Sequence, residues 1–206
     1  MLRPARPLDL ASGRAAAFLD RDGVLNEAVP DPASGLLESP LEVKDVHLLP
    51  GAAKAAGRLR QAGYALICVS NQPAAAKGKA TVAELQAVHE RVLDLLAQEG
   101  VSLEASYLCM HHPEGTVPEL SRRCDCRKPS PGLLHDAVDG LALNPSRSWM
   151  FGDTDSDVQA GRAAGCRTVL IEYPDTAHKR SGRSGPDLRA RDLFDGVAQL
   201  LDYDGG

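Results

Sequence analysis

Ala15-Ala16-Ala17-Phe18-Leu19-Asp20-Arg21-Asp22-Gly23-Val24 is the stretch on which the fold turns. Its apolar half, Ala15 to Leu19, has the length and flanks of a buried strand. It stops at two carboxylates one residue apart, followed by a glycine. In open α/β sheets, ligands bind beyond the carboxyl ends of the strands. Two desolvated acids raise each other's pKa. An Asp-x-Asp at such a point therefore asks for a cation, and a hard ion such as Mg²⁺ prefers oxygen ligands. Asp20 and Asp22 also offer a carboxylate nucleophile. Read alone, the pair serves equally well as turn formers ahead of Gly23.

Working outward, the 206 residues are 43% hydrophobic and 25% charged, the composition of a soluble globular domain with a sizeable core. The net charge of −5 argues against nucleic acid as a partner. The basic cluster Lys179, Arg180 and Arg183 reads as a solvated loop. No apolar run approaches the roughly 20 residues that span a bilayer, so no membrane partner is expected. Residues 1–13 lack the apolar core of a signal peptide and read as a disordered lead-in to a domain over 14–203. The five cysteines should then be reduced in a cytoplasm, leaving metal ligation or burial as their uses. A cytoplasmic monomer is expected.

Apolar runs alternate with amphipathic ones. The strand expectations are Ala15–Asp20, Ala65–Ser70, Ala105–Cys109, Ser148–Gly152 and Thr168–Ile171. The helix expectations are Gly51–Ala62, Val82–Glu99, Pro131–Gly140, Asp155–Ala164 and Leu193–Leu201. Thr81 with Glu84 marks a capping box, and Asp155 is the expected N-cap of its helix. This alternation implies an α/β fold, a central parallel sheet covered on both faces. Asn26–Pro50 and His111–Pro129 are long for plain connections, and such loops are functional or disordered. Thr176–Pro186 reads as flexible.

Three later segments repeat the opening pattern. Ser70-Asn71-Gln72 ends the second strand with a hydroxyl and two amides. Arg127-Lys128 places two cations just before a helix. Gly152-Asp153-Thr154-Asp155-Ser156-Asp157 ends the fourth strand with acids at alternate positions. Each has a plain reading as turn, cap or surface charge. Their order, with all but the lysine at strand ends, is hard to obtain from turn chemistry.

On these residues the chain resembles the haloacid dehalogenase (HAD) superfamily, whose motifs match Asp20-Arg21-Asp22-Gly23, Ser70, Lys128 and Gly152-Asp153 with Asp157. More narrowly it is similar to the branch holding heptose bisphosphate and histidinol-phosphate phosphatases. The diagnostic pieces are Ser70-Asn71-Gln72, Cys109-Met110-His111-His112-Pro113 and Cys124-Asp125-Cys126-Arg127-Lys128-Pro129. The resemblance implies a three-layer Rossmann-like fold with strand order 3-2-1-4-5, and Mg²⁺-dependent hydrolysis of a phosphate monoester. It makes Asp20 the nucleophile and Asp22 the acid and base. Mg²⁺ would sit on Asp20, the backbone carbonyl of Asp22, and Asp153. Ser70 and Lys128 would meet the phosphoryl oxygens, and Lys128 would keep Asp20 ionised. As an acid, Asp22 needs a pKa near the working pH.

Cys109, His111, Cys124 and Cys126 supply three sulfurs and an imidazole, a closed set for structural Zn²⁺. His112 is an alternative ligand, and the resemblance favours His111. Cys68 and Cys166 lie in or beside apolar runs and read as inert. The zinc loop over 109–126 fills the place of one family cap, and Asn26–Pro50 is too short for the other, so no cap domain is expected. Arg127 is a candidate for a second phosphate, and Asn71, Gln72 and Lys77 for sugar hydroxyls or phosphate. Pro73-Ala74-Ala75-Ala76-Lys77-Gly78 departs from the family's Ser-Gly-Ile-Ala-Arg-Gly. Gly35-Leu36 stands for its Gly-Tyr. Both departures fall on the substrate side. The expected reaction is removal of the 7-phosphate from a heptose 1,7-bisphosphate, with histidinol phosphate or another sugar phosphate as alternatives. A silent, zinc-stabilised binding protein is the reading from another class.

Overall fold

The computed structural model describes residues 13–31 and 35–204. The expected lead-in lies outside the described residues except for Gly13. The chain runs β1 (Ala16–Leu19), β2 (Val29–Pro30), β3 (Leu37–Glu38), α1 (Ala52–Gln61), β4 (Ala65–Asn71), α2 (Val82–Gln98) and β5 (Ala105–Cys109). It continues through α3 (Gly132–Leu141), β6 (Trp149–Gly152), α4 (Asp155–Ala163), β7 (Arg167–Ile171), β8 (Leu188–Ala190) and α5 (Leu193–Asp204).

The strands pair in parallel in the order β5-β4-β1-β6-β7-β8. The five expected strands stand in the expected order, and β8 adds a short sixth at the edge. Successive residues of a strand face opposite sides. Ala17 and Leu19 join the core shared with α1, α2 and α5. Ala16 and Phe18 join the core shared with α3 and α4. Both faces of β1 are therefore covered, which explains its uninterrupted apolar sequence.

Thr81 caps α2 as expected: its Oγ accepts from the Glu84 N–H at 3.1 Å, and its own N–H donates to the Glu84 carboxylate at 2.7 Å. The expected cap of α4 is corrected. Thr154, not Asp155, holds the N-cap position. Its N–H and hydroxyl both donate to Asp157 Oδ2, at 3.0 and 2.5 Å. This box leaves Asp155 free to accept from the N–H and hydroxyl of Ser181.

Within the loop expected to be solvated, Lys179 and Arg180 differ from expectation in having protein partners. Thr176 is buried. Lys179 pairs with Glu38 at 2.7 Å, and Arg180 Nη1 donates to the carbonyls of Asp153 and Tyr173 at 3.1 and 2.9 Å. These cations are drawn onto oxygens at the acid-rich strand ends, while Arg183 stays exposed. β2 and β3 form a two-stranded antiparallel hairpin inside the long Asn26–Pro50 loop. Two-residue strands leave too little alternation to read from sequence. No helix among the described residues is long and apolar enough to cross a membrane.

Candidate active site

Parallel pairing brings three strand ends to one edge. Asp20 follows β1, Ser70 is the next-to-last residue of β4, and Asp153 follows β6. Lys128 arrives from the loop before α3. Asn71 clips that loop with both ends of its amide: Nδ2 donates to the Lys128 carbonyl at 2.9 Å, and Oδ1 accepts from the Lys128 N–H at 3.0 Å. The Lys128 ammonium is buried and reaches Asp20 Oδ1 at 3.0 Å, Asp157 Oδ1 at 2.6 Å and the Val69 carbonyl at 2.8 Å. An ammonium has three donors, so all of them are engaged within the protein. Two glycines make room for the acids. A Cβ on Gly23, whose φ is 81°, would run into the Asp153 carboxylate, and one on Gly152 would run into Asp157.

Ligand oxygens of Asp20, Asp153 and Asp157 lie within 4.8 Å of one another, and all three residues are buried. Burial raises the Asp20 carboxyl to about 6; Lys128 and the Ser70 hydroxyl lower it, while Asp157 and Asp22 push it up. Lys128 therefore offsets the crowding only in part. Burial, then Asp20 and Asp157, hold Asp153 well above the usual carboxylate range. Three carboxylates against one ammonium leave two negative charges uncompensated, the charge of one divalent cation. Hard oxygen donors with that deficit fit Mg²⁺.

Asp22 sits differently. Arg21 donates to it through Nε and Nη2, each at 3.1 Å. Asn26, Gln72 and Ser39 donate at 2.9, 2.7 and 2.8 Å. Burial pushes this carboxyl up, but the guanidinium and the three further donors outweigh it and hold it below its ordinary value. The resting site thus favours the base form of Asp22, where the sequence reading asked for a pKa near the working pH.

Gln72 also differs from expectation. It is wholly buried; its Nε2 serves Asp22 and Ser70, and its Oε1 accepts from Arg21 at 2.8 Å. Its amide is fully committed to bracing Asp22, whereas Asn71 braces Lys128 with one N–H and keeps a second donor at the catalytic cavity it lines. Sequence reasoning missed Arg21, Asn26 and Ser39. The first two had a signal, being within four residues of Asp22. Ser39 had none, because only the hairpin brings it back.

A cavity of about 160 Å³ opens on Asp20, Asp22, Ser70, Lys128 and Asp153. A second, of about 200 Å³, adjoins it and shares Glu38, Ser39 and Pro73 as a common wall. Lys77 lines the second cavity. Arg127 lines neither; its Nη1 donates to the His111 carbonyl at 3.4 Å. Burial, then Arg127 and Lys77, hold His112 below its usual value against the opposing pull of Glu114.

The second cluster lies on the loop after β5. Cys126 Sγ is 3.2 Å from the sulfurs of both Cys109 and Cys124 and 3.4 Å from His111 Nδ1. Cys109 Sγ is 3.7 Å from Cys124 Sγ and 3.8 Å from His111 Nδ1. Ligands at about 2.3 Å from a tetrahedral zinc stand about 3.7 Å apart, so the donor set and its span fit that ion. His112 points elsewhere, its Nδ1 accepting from the Glu114 N–H at 3.1 Å. Cys68 and Cys166 are buried, and burial pushes both thiols up to about 12.

Known proteins resemble this chain in sequence and fold. Residues 125–199 match the HAD-hydrolase-like family model. The chain is 37% identical over 162 residues to the D-glycero-beta-D-manno-heptose-1,7-bisphosphate 7-phosphatase of Salmonella typhi, covering 79% of this chain and 82% of that one. It is 34% identical over 184 residues to the enzyme of the same name from Haemophilus ducreyi, covering 89% and 96%. The crystal structure of D,D-heptose 1,7-bisphosphate phosphatase from B. bronchiseptica, complexed with magnesium and phosphate, is similar with a TM-score of 0.76. That match is 29% identical and covers 92% of this chain and 99% of the other. Fold, strand-end acids and relatives together define a HAD-type hydrolase. The chain belongs to that family, on its phosphatase branch, and is a phosphoric monoester hydrolase.

Proposed function

We propose that the chain removes the 7-phosphate from D-glycero-D-manno-heptose 1,7-bisphosphate through an aspartyl-phosphate on Asp20. The observation that carries this reading is the meeting of Asp20, Ser70, Lys128 and Asp153 at one cavity, in a chain 34–37% identical to phosphatases of that name. Those names specify the beta anomer, which is the substrate to expect.

Asp20 attacks phosphorus, and the bond from phosphorus to the sugar oxygen breaks. Asp22 gives its proton to that departing oxygen. It can hold one at that moment because an incoming phosphate dianion raises a neighbouring carboxyl. Once the sugar has left, Asp22 takes a proton from water, which attacks the aspartyl-phosphate and returns Asp20. Ser70 and Lys128 orient Asp20 and face the phosphoryl oxygens. Mg²⁺, held by Asp20, Asp153 and the backbone carbonyl of Asp22, would supply charge stabilisation at those oxygens, the main need of phosphoryl transfer. Asp157 anchors Lys128 beside it. Zn²⁺ on Cys109, His111, Cys124 and Cys126 would close the loop that carries Arg127 and Lys128. Lys77, on the wall of the adjoining cavity, is suited to the second phosphate, and Arg127 is a further candidate by its charge. The setting is a cytoplasmic monomer without nucleic-acid or membrane partners.

The test is a Mg²⁺-dependent hydrolysis panel of both heptose 1,7-bisphosphate anomers, histidinol phosphate and p-nitrophenyl phosphate. Preference for the beta bisphosphate is expected. Turnover of the other esters alone would remove the substrate but not the reaction class. Near-normal turnover by Asp20→Asn would remove the covalent route.

A further inference from the structure

Two cations line the catalytic cavity among the described residues, Lys128 and Lys179. They are not equivalent. Lys128 is buried, with all three donors committed to Asp20, Asp157 and Val69. An incoming anion gains a bond to it only by displacing one of these. Lys179 is half-buried, with its side chain 30% exposed, and makes one ion pair, to Glu38 at 2.7 Å. Two of its three donors remain for another partner.

Glu38 lies in the wall between the two cavities, and its side chain is 41% exposed. Asp20, Asp22, Glu38 and Asp153 make the rest of the cavity strongly acidic. A phosphate ester entering it meets more negative than positive charge, and Lys179 is the lining cation that can turn toward it.

We infer that Lys179 is the anion-recruiting residue of this cavity and that Glu38 is its resting counter-ion. On binding, the ammonium trades the Glu38 carboxylate for a phosphate oxygen. The freed Glu38 then faces the adjoining cavity, where a carboxylate suits sugar hydroxyls. The inference rests on the phosphatase reading, not on the identity of the sugar.

A purely mechanical role for the pair, as a latch between the hairpin and the 174–179 turn, makes a different prediction. Breaking a latch from either side has the same effect. Removing a recruiter and removing its competitor have opposite effects. Inorganic phosphate titrated calorimetrically into the Mg²⁺-loaded protein separates the two. Lys179→Met is expected to weaken binding about tenfold, the size of one charge-assisted hydrogen bond. Glu38→Gln is expected to tighten it about threefold, as a partly exposed counter-ion competes weakly. That gain should vanish in the Lys179→Met background.

Lys179→Arg should bind within about twofold of the wild type, because it keeps the charge. Lys44→Met, which removes an exposed cation outside the cavity, should change nothing. Phosphate affinity unchanged in Lys179→Met, or weakened alike by Glu38→Gln, overturns the inference. So does a wild type that binds no phosphate. Loss of folding in Lys179→Met would show as lost zinc content and leave Lys179→Arg and Glu38→Gln to decide. Failure on heptose bisphosphates alone would count against the sugar and not against Lys179.

Discussion

The two ligand clusters of this molecule are built in opposite ways. Asp20 and Asp153 are hard oxygen donors just beyond strand ends and Asp157 is one in the first turn of α4, so regular structure holds all three before any ion arrives. Cys109, His111, Cys124 and Cys126 are softer donors, three of them on a loop with little regular structure. In the first case the fold positions the ligands against their own repulsion. In the second, a Zn²⁺ on the four donors would position the loop. The first cluster is thus a charge problem that a cation would relieve, and the second a conformational problem that a cation would close.

Breaking that contrast begins with the largest effect. Asp20→Asn should lower turnover by about 10³-fold or more, equivalent to about 4 kcal/mol in the barrier. Its melting temperature should hold or rise, since the change removes one of three crowded charges. A marked drop in melting temperature would mean that the cluster supports the fold, contrary to the contrast.

Cys124→Ser should do the reverse. It should take zinc content from about one per chain to none and cost about 3 kcal/mol of stability. For a chain of this size that is about a 10 °C fall in melting temperature. Full stability with no zinc would show the loop to be held by protein contacts alone.

Beneath the acid site lies a buried group the chemistry does not use. His89 is 3% exposed, and both ring nitrogens lack a partner. Burial, then the Arg21 charge, lowers its pKa to about 4. For a base with a depressed native pKa, the unfolded chain binds the proton first. Stability from this residue is therefore full above about pH 6.5 and is lost as pH falls toward 4, by about 3 kcal/mol. Denaturant titrations of the wild type and His89→Leu across that window should differ by this slope. Parallel curves would place a proton on the native ring.

The smallest effect sharpens the role of Asp22. Ser39→Ala removes one of five donor contacts and should reduce turnover of a sugar phosphate about tenfold, about one hydrogen bond's worth. p-Nitrophenyl phosphate needs little proton donation and should be affected less. Equal losses on both substrates would make Ser39 a structural wall residue only.

What could be read in advance follows from locality. The strand, its Asp-x-Asp and the Gly152-Asp153 pair are contiguous, so strand end and chemistry appear in one short window. The cysteines announce themselves by residue type and one-residue gaps. Asp155 reads locally as a cap, but Thr154 and Asp157 complete a better one, and the choice rests on hydrogen-bond geometry. Gln72 and Asn71 look like free amides in a loop. Their engagement with Asp22, Arg21 and Lys128 spans about fifty residues or more and has no local trace.

The sequence alone determined the α/β alternation, the acid and lysine set and the zinc-type donors, because short-range pattern and residue chemistry suffice for these; the strand order followed only from the family resemblance. Only the tertiary structure decided what surrounds them. The hairpin returns Ser39 to Asp22, and the segment after β7 carries Lys179 to Glu38 and Arg180 to Asp153. The physical reason is that these contacts join side chains across long loops, and which polar group finds which partner is settled by burial once the sheet has gathered its strand ends.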